Sequence, residues 1–390
     1  MIRVLYILNA TDCFGGATKA IMNLLDGMPD IIPHFILPED SGIAEVLQQK
    51  GIPYNVLNYR LSVYPPLLNV RDVILFLPRL CGRLFLNARA AHRLSVIAKD
   101  INADIIHTNT GVNSIGYQAS RILGIPHVWH IREYGILDFD LHHYPCESVF
   151  RHRLKTKQSY SICITKDIQR YNNLEGWPCS RVIYDGVLHA DEVSFNLPKQ
   201  DYFLFAGRLE EGKGIEELLS AYRIYCDCTD HPVPLWIAGD TQDTEYKRRL
   251  ISIAGQSACK DSIHFLGVRK DILSLMQNAL SLIVPSRAEG FGFITAEGMF
   301  SGALVIGKNV RGTKEQLDNG YDITKQDIAL KYLSETELVK HMLNVTQQGI
   351  EPYIHTIKAG QAVARQLYSV ENHQEAVYQF YCDIIGKKSK

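Results

Sequence analysis

Pro285-Ser286-Arg287-Ala288-Glu289-Gly290-Phe291-Gly292-Phe293-Ile294-Thr295-Ala296-Glu297 is entered by the apolar run Leu282-Ile283-Val284 and followed by a second run, Leu304-Val305-Ile306. Between the runs lie two glycines, Gly290 and Gly292, and two carboxylates, Glu289 and Glu297. The pattern reads as strand, glycine-rich loop, helix, strand. Such a loop leaves backbone N–H groups free at a helix N-terminus, where a phosphate binds readily. Phosphate alone gives no reason for a carboxylate beside each end of the loop. A phosphate flanked by hydroxyl-rich groups does, and a nucleotide sugar is such a ligand.

The same alternation of short apolar runs and amphipathic stretches continues in both directions. In the second half it predicts strands at 202–207, 235–238, 263–267, 282–285 and 304–307, with helices at about 214–228, 243–255, 270–279 and 293–301. In the first half it predicts strands at 4–8, 34–37, 104–107, 127–130 and 160–164, with helices at 17–28, 41–50, 84–100 and 113–123. Alternation of this kind argues for parallel sheets covered on both faces. At 390 residues the chain is too long for one ordinary core. The reading is α/β, with two doubly wound domains at 1–188 and 189–370. Residues 189–200 carry Pro198 and little periodicity, and read as the linker. An amphipathic last helix, about 371–390, is expected to pack back on the first domain.

A net charge of -1 gives no sign of a nucleic-acid binder. The nine cysteines are scattered, Cys226 and Cys228 being the only close pair, so the expectation is reduced thiols in the cytoplasm and no zinc site. Val4-Leu5-Tyr6-Ile7-Leu8 is too short for the apolar region of a signal peptide and reads as a first buried strand. No run approaches the ~18 apolar residues of a membrane span.

Three further stretches bear on chemistry. Asn9-Ala10-Thr11-Asp12-Cys13-Phe14-Gly15-Gly16-Ala17 follows the first strand, and its glycine pair lets backbone approach a ligand at a helix N-terminus. A plain turn is the equal alternative, because the three-glycine dinucleotide spacing is missing. Phe205-Ala206-Gly207-Arg208-Leu209-Glu210-Glu211-Gly212-Lys213-Gly214 places an arginine fork and a lysine in a loop after a strand, a set suited to phosphate. Read alone, it is better taken as a solvated loop with scattered charge. Residues 71–99 mix apolar runs with Arg71, Arg79, Arg83, Arg89, Arg93 and Lys99. That mixture suits peripheral contact with an anionic membrane, or else an ordinary helix packed on the sheet with a wet basic face.

Together these pieces resemble the retaining GT-B glycosyltransferases of the family-4 (group 1) type. The resemblance is carried by Gly15-Gly16, by Gly207-Arg208-Leu209 with Lys213-Gly214, by Val182-Ile183-Tyr184-Asp185-Gly186-Val187, and most specifically by Glu289-Gly290-Phe291-Gly292 through Glu297. It implies the GT-B fold, two Rossmann-like domains facing across a cleft. It also implies transfer of a sugar from a nucleotide-diphosphate sugar, with a UDP-sugar preferred and GDP-mannose open, to a glycan or lipid-linked acceptor. In that picture Arg208 and Lys213 clamp the diphosphate, and amides around Gly290, Phe291, Gly292 and Phe293 and near Gly15 and Gly16 complete the cradle. Glu289 takes hydroxyls of the transferred sugar and Glu297 those of the ribose, while Val268 and Arg269 border the base. His130 lies near the sugar and the acceptor, with His107 as a second option and Glu133 as a residue that orients the acceptor. No metal and no cofactor are implied.

The sequence departs from the family's pattern at four places. Asp185 stands where asparagine is usual, Gly212 where a glutamate precedes the lysine, Leu304 where proline is frequent, and Arg311-Gly312 where the family has a glycine pair. Two other functions fit the same scaffold: a nucleotide-sugar epimerase and a non-catalytic sugar-nucleotide sensor.

Overall fold

The structure, a computed structural model, describes residues 1–11, 15–25, 27–67, 69–257 and 259–386. Asp12, Cys13 and Phe14 of the first glycine loop, and 387–390 of the expected last helix, lie outside the described residues. The chain divides into two units, Met1–Gly186 with Glu371–Lys390, and Val187–Val370.

Among the described residues, the first unit holds β1 (Ile2–Ile7), β2 (Ile31–Leu37), β3 (Tyr54–Val56), β4 (Ile105–Thr108), β5 (His127–Ile131), β6 (Ser159–Cys163) and β7 (Ser180–Val182). They form one sheet in the order β3-β2-β1-β4-β5-β6-β7, and every pairing is parallel. A parallel sheet is covered on both faces, so its strands read as continuous apolar runs. Val4, Leu5, Tyr6 and Ile7 of β1 are accordingly all buried.

The second unit holds β8 (Gln200–Ala206), β9 (Leu235–Ala238), β10 (Ile263–Gly267), β11 (Ala279–Val284), β12 (Val305–Lys308) and β13 (Leu330–Tyr332). Their order is β10-β9-β8-β11-β12-β13, again all parallel. Both orders are that of the Rossmann fold, in which chain direction across the sheet reverses beside the first strand. The reversals lie between β1 and β4, and between β8 and β11. Ligands of open parallel sheets collect at the carboxyl ends of those strands.

Two expectations are corrected. Residues 189–200 are not a free linker but lie on the second unit. Ser194 N donates to Phe300 O at 3.0 Å, and Lys199 Nζ donates to Gln277 O and Gly302 O at 2.6 and 2.7 Å. The helix expected at 84–100 begins earlier and spans Phe76–Asp100. Pro78 and Gly82 hid its first two turns, yet a proline in the first turn removes no internal hydrogen bond.

The last helix, Val370–Gly386, places Val377, Phe380, Tyr381 and Ile384 on one face. All four are buried in a cluster with Val4, Tyr6, Phe35 and Val128 of the first sheet. Phe380→Ala should therefore cost about 3–5 kcal/mol, read from the midpoint of denaturant unfolding. A loss below about 1 kcal/mol would mean that the helix is not part of this core.

Candidate functional site

The loops after β8 and β11 run side by side because their strands are neighbours at the reversal. Arg287 N donates to Gly212 O at 2.9 Å. Gly214, at φ +70°, turns directly against the Pro285 carbonyl, where any Cβ would collide. This turn ends the short 3-10 segment Glu211–Lys213 and aims the lysine across the sheet edge. Lys213 Nζ meets Glu289 Oε1 at 2.6 Å, and Ser286 Oγ donates to the same oxygen at 2.8 Å. The two charged side chains are 23% and 15% exposed, and both line a small pocket with Gly207, Pro285 and Ser286.

Loop 289–292 is wrapped on the start of helix Arg311–Thr324. Gly312 N donates to Glu289 O at 3.1 Å, and Gln316 Nε2 donates to Phe291 O at 2.7 Å and Gly292 O at 3.1 Å. A Cβ at 312 would stand 2.7–2.9 Å from the carbonyls of Phe291, Glu289 and Gly290, so only glycine fits. Helices Phe293–Phe300 and Arg311–Thr324 consequently start at the same loop. Thr295 and Thr313, the third residue of each, are buried, and their hydroxyls have no protein partner. Both hydroxyls lie within 3.6 Å of where a Cβ of Gly292 would be. Two helix N-termini and two unsatisfied hydroxyls around one glycine form a place for an anion with several acceptor oxygens.

The other residues expected here are spread along the same sheet edge. Glu297 is buried in helix Phe293–Phe300. The Arg208 side chain is 63% exposed and pairs with Glu210 at 2.9 Å, so its fork is turned to a neighbour on its own loop. Val268 is exposed, and Arg269 grips Asp271 with two bonds of 2.8 and 2.7 Å. These two follow β10, two strands from β8. Arg311 sits at φ +49°, a left-handed conformation that costs a non-glycine residue roughly 1–2 kcal/mol and explains why a glycine is usual there.

In the first unit, Gly15 and Gly16 start the helix Gly16–Leu25 after β1, with Lys19 N bonded to Gly15 O at 2.9 Å. Beside it, the ends of β4 and β5 carry a buried polar chain whose proton positions are fixed by its donors. Arg132 can only donate, so His130 Nδ1 accepts from Arg132 Nη2 at 3.2 Å. His107 Nε2, 3.2 Å from the same atom, must then bear a proton. Its Nδ1 accepts from Tyr381 OH at 2.6 Å. Burial, with the Arg132 charge beside them, holds both imidazoles well below their ordinary range. Neutral His130 therefore carries its proton on Nε2, which is buried without a hydrogen-bond partner, 3.8 Å from Asp185. It is set to donate a hydrogen bond rather than to take a proton.

Arg132 is held by an ion pair with Asp185 and by Asn109 Oδ1 at 3.1 Å from its Nε. The aspartate found in place of the usual asparagine thus neutralises a buried guanidinium. Glu133 is buried beside it. Its carboxylate accepts from Gly111 N at 2.6 Å, Val112 N at 3.1 Å and Arg132 N at 3.2 Å, fixing a loop. Burial, with Asp138 nearby, raises it to about 7 in spite of those three bonds.

Sequence reasoning missed Thr295, Thr313, Gln316, Arg132, Asp185 and Tyr381. Arg132 and Asp185 carried a signal, an arginine just past a strand end and a departure from the family's pattern. The hydroxyls carried none.

Comparison with known proteins finds a match over the second unit. Residues 190–358 match the family model of glycosyl transferases group 1. The match covers β8 to β13 and both residues of the Lys213–Glu289 pair. An uncharacterized glycosyltransferase of Methanocaldococcus jannaschii is 30% identical over 171 residues, 43% of this chain and 45% of that protein. The N,N'-diacetylbacillosaminyl-diphospho-undecaprenol alpha-1,3-N-acetylgalactosaminyltransferase of Campylobacter jejuni is 34% identical over 61 residues, 16% of each chain. The matched stretches thus span under half of both relatives. Anabaena HepE in complex with UDP superposes with a TM-score of 0.77 over 98% of this chain and 100% of its own, at 19% identity. That likeness establishes the fold, the GT-B pair of Rossmann-like domains.

Two outcomes follow for stability. Glu133 keeps a proton in the folded chain that the unfolded chain loses above its ordinary 4.5, so its contribution falls as pH rises toward about 7. Wild type should lose stability relative to Glu133→Gln across that window, and a pH-independent difference in Tm would contradict it. A double-mutant cycle of Lys213→Met and Glu289→Gln should give a coupling of roughly 1–3 kcal/mol, since each single change strands a partly buried charge. Additive effects would mean that the pair does not exist in solution.

Proposed function

We propose that the chain is a retaining glycosyltransferase, moving a sugar from a nucleotide-diphosphate sugar to a glycan or lipid-linked acceptor in surface polysaccharide or glycolipid biosynthesis. The observation that carries this reading is the Lys213–Glu289 pair set beside two helix N-termini at the reversal point of a Rossmann sheet. A cation, a carboxylate and an anion cradle within one loop cluster match a diphosphate joined to a polyhydroxylated ring. The group 1 match over the same residues supports it. UDP is the preferred nucleotide, in keeping with HepE, which is known with UDP bound. The lipid-linked acceptor is in keeping with the name of the Campylobacter relative.

In this reading Lys213 and Arg208 bind the diphosphate, Arg208 leaving Glu210 to do so. Thr295, Thr313 and the amides of Gly290–Phe293 complete the cradle. Glu289 accepts from a sugar hydroxyl and Glu297 from the ribose. The acceptor oxygen attacks the anomeric carbon on the face from which the diphosphate leaves. The bond from that carbon to the phosphate oxygen breaks, and the departing phosphate takes the acceptor's proton. The fixed cations stabilise the charge that develops on the leaving oxygen. His130, in the first unit, donates from Nε2.

The test is transfer from a panel of UDP- and GDP-sugars to lipid-linked and free glycans, with the product anomer read by NMR. Nucleotide diphosphate should appear only with an acceptor present, and the anomer should match the donor's. Lys213→Ala and Glu289→Ala should each lower turnover by about a hundredfold or more, with folding confirmed by circular dichroism. Turnover near wild type in either variant would overturn these roles. Release without acceptor, or interconversion of donor sugars, would point to the epimerase.

A further inference from the structure

In the first unit, helix Val70–Ile74 and the first half of helix Phe76–Asp100 present apolar side chains to solvent. Val70, Val73, Ile74, Leu77, Leu84 and Phe85 are each between 45% and 78% exposed. On the long helix, Leu77, Cys81, Leu84, Phe85 and Ala88 follow helical spacing, and all five are exposed. Farther along, the same helix buries Asn87, Ala90, Ala91, Leu94 and Ala98, and Ala90, Ala91, Leu94 and Ala98 pack with Leu5 and Ile7 of the sheet. The later turns of the helix thus serve the fold, while an apolar stripe on its earlier turns is left in water. A contiguous apolar patch of this kind marks an interaction surface.

Its charge identifies the occupant. Residues 70–100 carry six Lys and Arg against two acids, Asp72 and Asp100, a net of +4 in a chain whose net is -1. Two of the six belong to the fold: Arg79 pairs with Asp72, and Arg83 Nη1 donates to Val63 O at 3.0 Å. Arg71, Arg89 and Arg93 remain exposed, around the apolar stripe rather than within it. Apolar side chains to insert, cations on long stems to reach headgroups, and few acids to repel them match an anionic bilayer surface. No helix among the described residues is long and apolar enough to cross a membrane, so the contact would be interfacial.

We propose that helices Val70–Ile74 and Phe76–Asp100 dock the first unit on the surface of an anionic lipid bilayer, with Leu77, Leu84 and Phe85 inserted and Arg71, Arg89 and Arg93 on the headgroups. The inference is independent of the donor site and is tested without nucleotide or acceptor. The full chain is sedimented with vesicles of phosphatidylcholine, with and without phosphatidylglycerol. Wild type should pellet with the anionic vesicles, weakly or not at all with the neutral ones, and less as salt rises. The triple variants Leu77→Ser/Leu84→Ser/Phe85→Ser and Arg71→Glu/Arg89→Glu/Arg93→Glu should each lower partitioning by roughly tenfold or more. Their circular dichroism and Tm should be unchanged, because all six positions are exposed. Failure of wild type to bind, or wild-type binding by either triple, would overturn the proposal. So would a dimer in solution that the apolar triple dissociates while vesicle binding is absent, which would make the stripe a contact between two copies.

Discussion

The second unit's site depends on one ion pair. Lys213 and Glu289 are far apart in sequence and meet at 2.6 Å because β8 and β11 are neighbours at the point where the sheet reverses. Each is carried by a loop that glycine alone permits, Gly214 against Pro285 O and Gly312 beneath three carbonyls. The fold therefore brings a cation and a carboxylate together and keeps both partly exposed. A ligand that offers phosphate to one and a hydroxyl to the other exchanges partners there without leaving a charge stranded.

The first unit solves a different problem with the same topology. Its buried histidines are held neutral, and a guanidinium that can only donate fixes which nitrogen of His130 carries the proton. Tyr381 completes the chain from a helix near the other end of the sequence. That dependence ties the C-terminal helix to the state of a strand-end histidine in physical terms, through one hydroxyl and two imidazoles.

Much of this architecture was legible in the sequence. The limits of β9 and β10 coincide with those read from the sequence; β9 is buried but for Trp236, and such a parallel strand leaves a continuous apolar signal. The short edge strands β3, β7 and β13, three residues each, left no such run and were missed. Glu289 and Glu297 were picked out by the glycines between them. The pairing of Glu289 with Lys213 was not, since it requires knowing which strands are adjacent. Arg208 pairs with Glu210, a local partner that charge spacing does not rank. Thr295 and Thr313 become visible only as hydroxyls without partners, a property of packing rather than of pattern.

A structure of the chain with UDP bound tests the central claim most directly. The diphosphate should lie within hydrogen-bond distance of Lys213 Nζ and of at least one of the Thr295 and Thr313 hydroxyls, with the ribose on Glu297. UDP found elsewhere on the chain, with the Lys213–Glu289 pair untouched, would contradict the account.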